Sequence, residues 1–124
     1  MPQATDQHTT TNPVPSAYAR MSIRHLSVLF AAYKASIAGL DGIYNQPRAK
    51  GVDAIEDEIE RLTNTMSQVV DEIESRTPTN SSDAEKCFDV LVTYWGAICG
   101  DYAKATSIAV KLLPLIARQT DTSH

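Results

Sequence analysis

The densest group of side chains that could do chemistry is a run of carboxylates in the middle of the chain. Its five members lie within eight residues: Asp53, Glu56, Asp57, Glu58 and Glu60. Carboxylate oxygens are the ligands that hard cations such as Mg²⁺ prefer. The pair Asp57-x-x-Glu60 is followed by a second pair, Asp71-x-x-Glu74. This repeated spacing leaves two alternatives, a metal-dependent catalytic site or the solvated side of a helix.

The distance between the two acidic pairs favours the solvated side of a helix. The pairs resemble the acidic motifs of all-α nucleotide pyrophosphohydrolases, but those motifs lie on different helices that face one cavity. Here both pairs fall on one predicted helix, fourteen residues apart, which corresponds to about 21 Å. With the apolar residues at heptad positions a and d, Glu56, Asp57, Glu58 and Glu60 occupy positions e, f, g and b, away from the apolar stripe.

Two arginines of the same predicted helix are placed to pair with some of these acids. Asp57 and Arg61 are four residues apart, as are Glu72 and Arg76. Such pairs stabilise a helix by about 0.2–0.5 kcal/mol each. The sequence therefore predicts that the acids lie in water and form local ion pairs, with no metal site.

Histidine and cysteine chemistry finds no support in the residue spacing. The three histidines are His8, His25 and His124, and no Glu-x-x-His pair or zinc-type His–Cys spacing occurs. Cys87 and Cys99 are about 18 Å apart along one predicted helix, beyond the reach of a disulfide. No nucleophile elbow or phosphate-binding glycine motif is present. We predict two buried reduced thiols, no catalytic residue and no cofactor.

The composition excludes some classes of partner. The 124 residues carry a net charge of −4 and are 43% hydrophobic, which argues against nucleic acid or an anionic membrane as the main partner. Arg20 and Arg24 precede "LSVLFAAY", an arrangement with a superficial likeness to a signal peptide. However, the run is short, starts late and meets Lys34. We predict a cytoplasmic protein with no membrane partner.

Three apolar stripes with alternating spacings of three and four predict three helices. Their expected ranges are 22–44, 53–76 and 82–113. Asp53 is the expected N-cap of the second helix because Glu56 follows at capping-box spacing. Short connections predict antiparallel neighbours, so the fold class is an all-α antiparallel three-helix bundle with the heptad-like stripes of a coiled coil.

The third predicted helix contains two glycines and is followed by a proline. Its apolar phase continues through Gly96 and Gly100, which favours one long helix, with a bend at Gly100 as an option, over two helices. Pro114 is the expected end because an interior proline costs about 3 kcal/mol. We assign residues 1–20 and 118–124 to disordered tails and residues 21–117 to the bundle.

The apolar face of the third segment is wider than a two-residue seam. Three helices of this size leave part of it uncovered, which predicts oligomerisation or a helical protein partner. The residues expected to line this interface, or a pocket, are Tyr94, Trp95, Tyr102, Ile108, Leu113 and Leu115.

Two stretches, "RHLSVLFAAYKASIAGLD" and "TPTNSSDAEKCFDVLVTYW", together with the acidic helix between them, resemble a group of small helical bacterial proteins without an assigned function. In that group a long helix with a Tyr and a Leu-Asp pair precedes a hairpin that ends in a Thr-Pro turn. Here the pair is Leu40 and Asp41, and the turn starts at Thr77 and Pro78. The resemblance covers about residues 22–103; it implies a helical fold and transfers no catalytic residue.

These observations leave three hypotheses for function. The first is a non-enzymatic helical bundle that acts in protein–protein interaction or self-assembly. The second is a regulatory protein that binds a small molecule between helices near Trp95 and Tyr102. The third is a metal-dependent nucleotide-processing enzyme that uses the acids of the second helix.

Overall fold

The structure of the protein, a computed structural model, describes residues 17–46 and 52–122, with side chains up to Ala117. Within these ranges the chain is helical and contains no strand, so the all-α prediction is confirmed. The α-helices are α1 (Ile23–Tyr44), α2 (Asp53–Glu74), α3 (Ser81–Val92) and α4 (Tyr102–Thr122). A 3₁₀ turn (Ala17–Arg20) precedes α1, and a π-helical segment (Thr93–Ile98) continues α3.

The predicted third helix is two helices, so the three-helix count was wrong. Gly100 has a φ of 72°, the left-handed conformation that glycine adopts without steric cost. Its N–H donates to the carbonyl of Gly96 at 3.1 Å, which is the αL motif that ends helices. Asp101 then caps α4, since its Oδ1 accepts the N–H of Lys104 at 3.1 Å. The chain reverses within three residues instead of bending.

The two halves of the long apolar stripe face each other across this reversal. Leu91 and Ile108 line the same small cavity, and Cys87 and Leu112 lie further along it. A stripe on one continuous helix would have faced a single neighbour, whereas here it forms both sides of an antiparallel hairpin. The apolar phase alone cannot tell these two arrangements apart.

The end of α4 also departs from the prediction. The helix passes through Pro114 and continues to Thr122, so it includes residues 118–122 of the segment expected to be a tail. A proline inside a helix leaves the carbonyl four residues earlier without its donor. That residue is Val110, and because Val110 and Pro114 are both exposed, water can solvate the carbonyl.

The helix starts follow local capping. Ser22 precedes α1 and accepts the N–H of His25 at 3.1 Å. Asn80 caps α3 through the N–H of Asp83 at 2.8 Å. The expected Asp53 cap of α2 was wrong, because the N-cap is Val52 and makes no side-chain hydrogen bond.

Part of the predicted N-terminal tail belongs to the folded unit. Nη2 of Arg76 donates to the carbonyls of Tyr18 and Ala19 at 3.0 and 3.1 Å, and the Tyr18 side chain packs against the core. The tail prediction was therefore wrong for residues 17–20, and residues 1–16 lie outside the described part.

The core lies where α1, α2 and α3 meet. Leu26, Val69, Val70 and Ile73 have no exposed surface. α3 packs against the other three helices, whereas α4 packs chiefly on α3 and its π-helical continuation. Consequently α1 and α4 each keep one side facing outward.

Candidate interaction surface

The acids at the start of α2 lie on its solvated side, as predicted. Asp53, Glu56, Asp57 and Glu60 are exposed. Within the described residues no three metal-ligating side chains come together. The second acidic pair, Asp71 and Glu74, does not form a shared cation site either, because Glu74 contacts Trp95 and Lys104.

One of the two predicted ion pairs on α2 is present, and the other has a different partner. Nε of Arg76 lies 2.8 Å from Oε2 of Glu72, which confirms that pair. Arg61 pairs with Glu58 instead of Asp57, with Nε donating to Oε1 at 3.0 Å. This hydrogen bond lowers the pKa of Glu58.

Trp95 takes part in a contact that ties three elements together. Its Nε1 donates to Oε1 of Glu74 on α2 at 3.2 Å. Nζ of Lys104 on α4 lies 3.1 Å from Oε2 of Glu74 and 3.8 Å from the centroid of the Trp95 ring. Tyr94 meets the same indole edge-on, with ring centroids 5.0 Å apart. This group, the Trp95 clamp, fixes the start of α4 relative to α2.

The π-helical segment directs Trp95 and Gly96 towards different helices. Cys99 N–H donates to the carbonyl of Tyr94 at 2.9 Å, five residues back, as a π-helix requires. Gly96 is buried, and a Cβ added there would lie 3.4 Å from Cβ of Ala105. Hence Trp95 contacts α2, while Gly96 lies against Ala105 of α4.

The six residues predicted to form an interface or pocket do not form one site. Tyr94 and Trp95 are half-buried and held in the Trp95 clamp. Ile108 and Leu115 line a cavity of about 110 Å³ and pack against the core. Only Tyr102 and Leu113 are exposed, by 71% and 51%.

The two thiols lie in different environments. Cys87 is buried, and desolvation followed by the charge of Asp83 raises its pKa to about 11, so it stays protonated and unreactive near neutral pH. Cys99 is exposed, which corrects the expectation that both are buried. Both cysteines are free.

Large apolar side chains line the outward side of α4. Tyr102, Val110 and Leu113 are exposed by 71%, 67% and 51%, and at 3.6 residues per turn they fall within about 80° of the helix circumference. Thr106 lies between them on the same side. We call Tyr102, Thr106, Val110 and Leu113 the α4 outer face. Sequence reasoning missed Val110 because it lies off the predicted stripe.

The outward side of α1 is apolar as well, and sequence reasoning missed it. Of the 22 residues only Ile23, Leu26 and Phe30 are buried. The α1 outer face consists of exposed residues, Val28, Ala31, Ala35, Ala38 and Gly42. By length and composition alone α1 is apolar enough to cross a membrane, and 11% of its most apolar window is buried in the protein.

Two shallow grooves adjoin these faces. The first, of about 430 Å³, lies between α1 and α3, and Phe30, Ala35, Lys86 and Asp89 are among its lining residues. The second, of about 550 Å³, lies between the α3–π segment and α4. Thr93 lines both grooves, and no lining residue belongs to α2. The apolar surface is therefore formed by α1, α3 and α4, away from the acids of α2.

No protein-family model matches the chain, and neither a curated protein nor a solved structure matches it significantly. Membership of the small helical bacterial group stays a prediction, and the functional interpretation depends on the surfaces described above.

Proposed function

We propose that this chain is a non-enzymatic helical-bundle protein that acts through protein–protein contact, either self-assembly or docking of a helical partner. The observation that carries the proposal is the α4 outer face. Exposed apolar patches of this kind mark interaction sites, and anchors spaced along one side of a helix are how helices recognise one another.

The surroundings of α4 support this use. Lys104 anchors the first turn through the Trp95 clamp, and the next residue, Ala105, packs against Gly96. A surface held rigidly before binding loses less conformational entropy on association. The free thiols Cys87 and Cys99 are compatible with a reducing compartment, in line with a cytoplasmic location.

Charge placed on the α4 outer face tests the proposal. Val110→Glu and Leu113→Glu introduce carboxylates where an apolar partner would dock. We expect them to abolish self-association, measured by light scattering, or binding of a stoichiometric partner, measured by native pull-down. Lys111→Glu is the matched control, because Lys111 lies on the far side of α4. Circular dichroism checks that the variants stay folded. A wild-type protein that remains monomeric at all concentrations and copurifies with no partner would contradict the proposal.

A small-molecule-binding regulatory function is the second candidate, and the groove between α1 and α3 favours it. Its volume of about 430 Å³ falls in the range of about 300–1,000 Å³ typical of ligand sites. Lys86 and Asp89 on α3 supply the polar groups at its edge. A metabolite screen read by thermal shift tests it: a stabilising ligand should lose its effect in Lys86→Ala or Asp89→Ala but keep it in Lys111→Ala. No shift across the metabolite pool would contradict it.

A further inference from the structure

The α1 outer face has the residue spacing of a helix–helix seam. Its members recur at intervals of three and four, from Val28 to Gly42, which is the a/d pattern of paired helices. The opposite side of the same helix already packs on α2 and α3. α1 therefore has two apolar sides, and only one of them is covered.

Charges along one edge of this face are self-complementary. Lys34 and Asp41 are exposed and lie seven residues apart on the edge beside the seam. Neither belongs to an ion pair among the described residues. The other edge carries only Ala32 and Gly39 at the equivalent positions. α1 itself thus offers one base and one acid to whatever covers the face, and Lys86 and Asp89 of α3 lie across the groove that Lys34 and Ala35 also line.

The heptad geometry decides which arrangement uses these charges. In an antiparallel pair of α1 helices, Ala35 lies opposite Ala38 of the second copy, and the flanking g positions face each other. Lys34 of each copy then lies beside Asp41 of the other, twice by symmetry. A parallel pair would place Lys34 beside Gly39, where no charge is available.

We propose that a second copy of this chain docks on the α1 outer face, forming an antiparallel α1–α1 contact flanked by two Lys34–Asp41 ion pairs. The small alanines of the seam and Gly42, which has no side chain, allow the helices to approach at the short end of the usual 8–10 Å interaxial range. This inference deepens the proposed function by naming one partner, but it uses α1, whereas the tests of the proposed function use α4.

A lipid surface is a less favourable occupant of the same face. α1 has the length and composition of a membrane span, but Leu26 and Phe30 pack in the core with Val69 and Ile73. Inserting the whole helix into lipid would expose those core partners to water, whereas docking a second copy leaves the core intact.

Charge reversal with mixing tests the proposal. Lys34→Glu places two like-charged pairs in the dimer, and so does Asp41→Lys, so each variant alone should dimerise about tenfold more weakly or worse in sedimentation equilibrium. Mixing the two variants pairs each introduced charge with its opposite, and a one-to-one heterodimer should form. The double variant Lys34→Glu/Asp41→Lys should dimerise like the wild type. Lys111→Glu and Glu60→Lys are controls of equal charge change on exposed positions of α4 and α2, and we expect neither to alter dimerisation.

Several outcomes would overturn the proposal. They are a monomeric wild type, single variants that dimerise normally, or a mixture that fails to restore the dimer. Co-sedimentation of a monomeric protein with phosphatidylcholine–phosphatidylglycerol vesicles would assign the face to lipid instead. If Val110→Glu changes nothing while the mixing result holds, only the proposed use of α4 fails; the reverse pattern overturns this inference alone.

Discussion

α1 and α2 pack against each other and have the same length, 22 residues each, yet their outward sides differ completely. α2 buries five residues and turns carboxylates to solvent, whereas α1 buries three and exposes Val28, alanines and glycines. Water solvates the carboxylates on the outward side of α2, so that side needs no partner. The outward side of α1 gains little from water, so an interaction is to be sought there and on α4 rather than at the acidic residues that first draw attention.

The strongest test of this comparison contrasts the two sides of α1. Leu26→Ala should lower the free energy of unfolding by about 3 kcal/mol, because it opens a cavity in the core. Val28→Ala, on the outward side of the same helix, should cost no more than about 0.5 kcal/mol in the monomer. Urea denaturation monitored by circular dichroism measures both, and equal costs would mean that Val28 is covered.

The two ion pairs of α2 provide the next contrast. Arg76→Ala should lower the free energy of unfolding by about 1–2 kcal/mol, because it leaves the half-buried Glu72 unpaired and frees the turn at Tyr18 and Ala19. Arg61→Ala breaks an exposed pair and should cost no more than about 0.5 kcal/mol. Chemical denaturation of both variants provides the comparison. Similar losses would show that the N-terminal turn contributes nothing to stability.

Glycine substitutions should have opposite signs in α1 and at the α3–α4 reversal. Gly39→Ala has free space for its Cβ and should stabilise the protein by up to about 1 kcal/mol through helix propensity. Gly100→Ala must adopt a φ of 72° and should destabilise it by about 1 kcal/mol. Thermal unfolding of both variants tests this. A stabilising Gly100→Ala would indicate that the chain continues as one helix there.

The smallest effect is expected for the outward acids of α2. Asp57→Asn and Glu60→Gln should each change the free energy of unfolding by less than about 0.5 kcal/mol, since both side chains are solvated and outside any ion pair of the described residues. Isothermal titration with Mg²⁺ should give no saturable heat with the wild type or either variant. A wild-type binding isotherm that disappears in these variants would restore the metal-site hypothesis.

The apolar periodicity predicted the ends of α1 and α2 to within two residues. Each of these helices has one apolar stripe that faces its neighbours, and a segment with Gly or Pro follows it in the sequence. The periodicity failed at Gly100 because a stripe that folds back on itself keeps the same spacing. The informative signal was local: Gly100 followed by Asp101, a C-terminal glycine and then an N-cap. Pro114 misled for the converse reason, since an exposed helix turn tolerates the lost hydrogen bond.

The candidate site was predicted only in part. Tyr102 and Leu113 are exposed as an interface requires, but Trp95 is held by Glu74 and Lys104, whose distant positions in the sequence give no sign of the contact. The α1 outer face was not predicted because alanine and glycine are common at solvent-exposed helix positions. It can be recognised as an uncovered apolar face only once the structure shows that the other side of α1 packs in the core.

The π-helical segment accommodates one extra residue without changing where α4 lies. A π turn closes its hydrogen bond on the fifth residue instead of the fourth, so the six residues of Thr93–Ile98 rotate the chain about as far as five α-helical residues would. A single-residue deletion that restored α-helical winding there would therefore leave Lys104 near Glu74 and keep the direction of the α4 outer face. The same deletion within α3 would turn everything after it by about 100°, so tolerance to a change in residue count is confined to the π-helical segment.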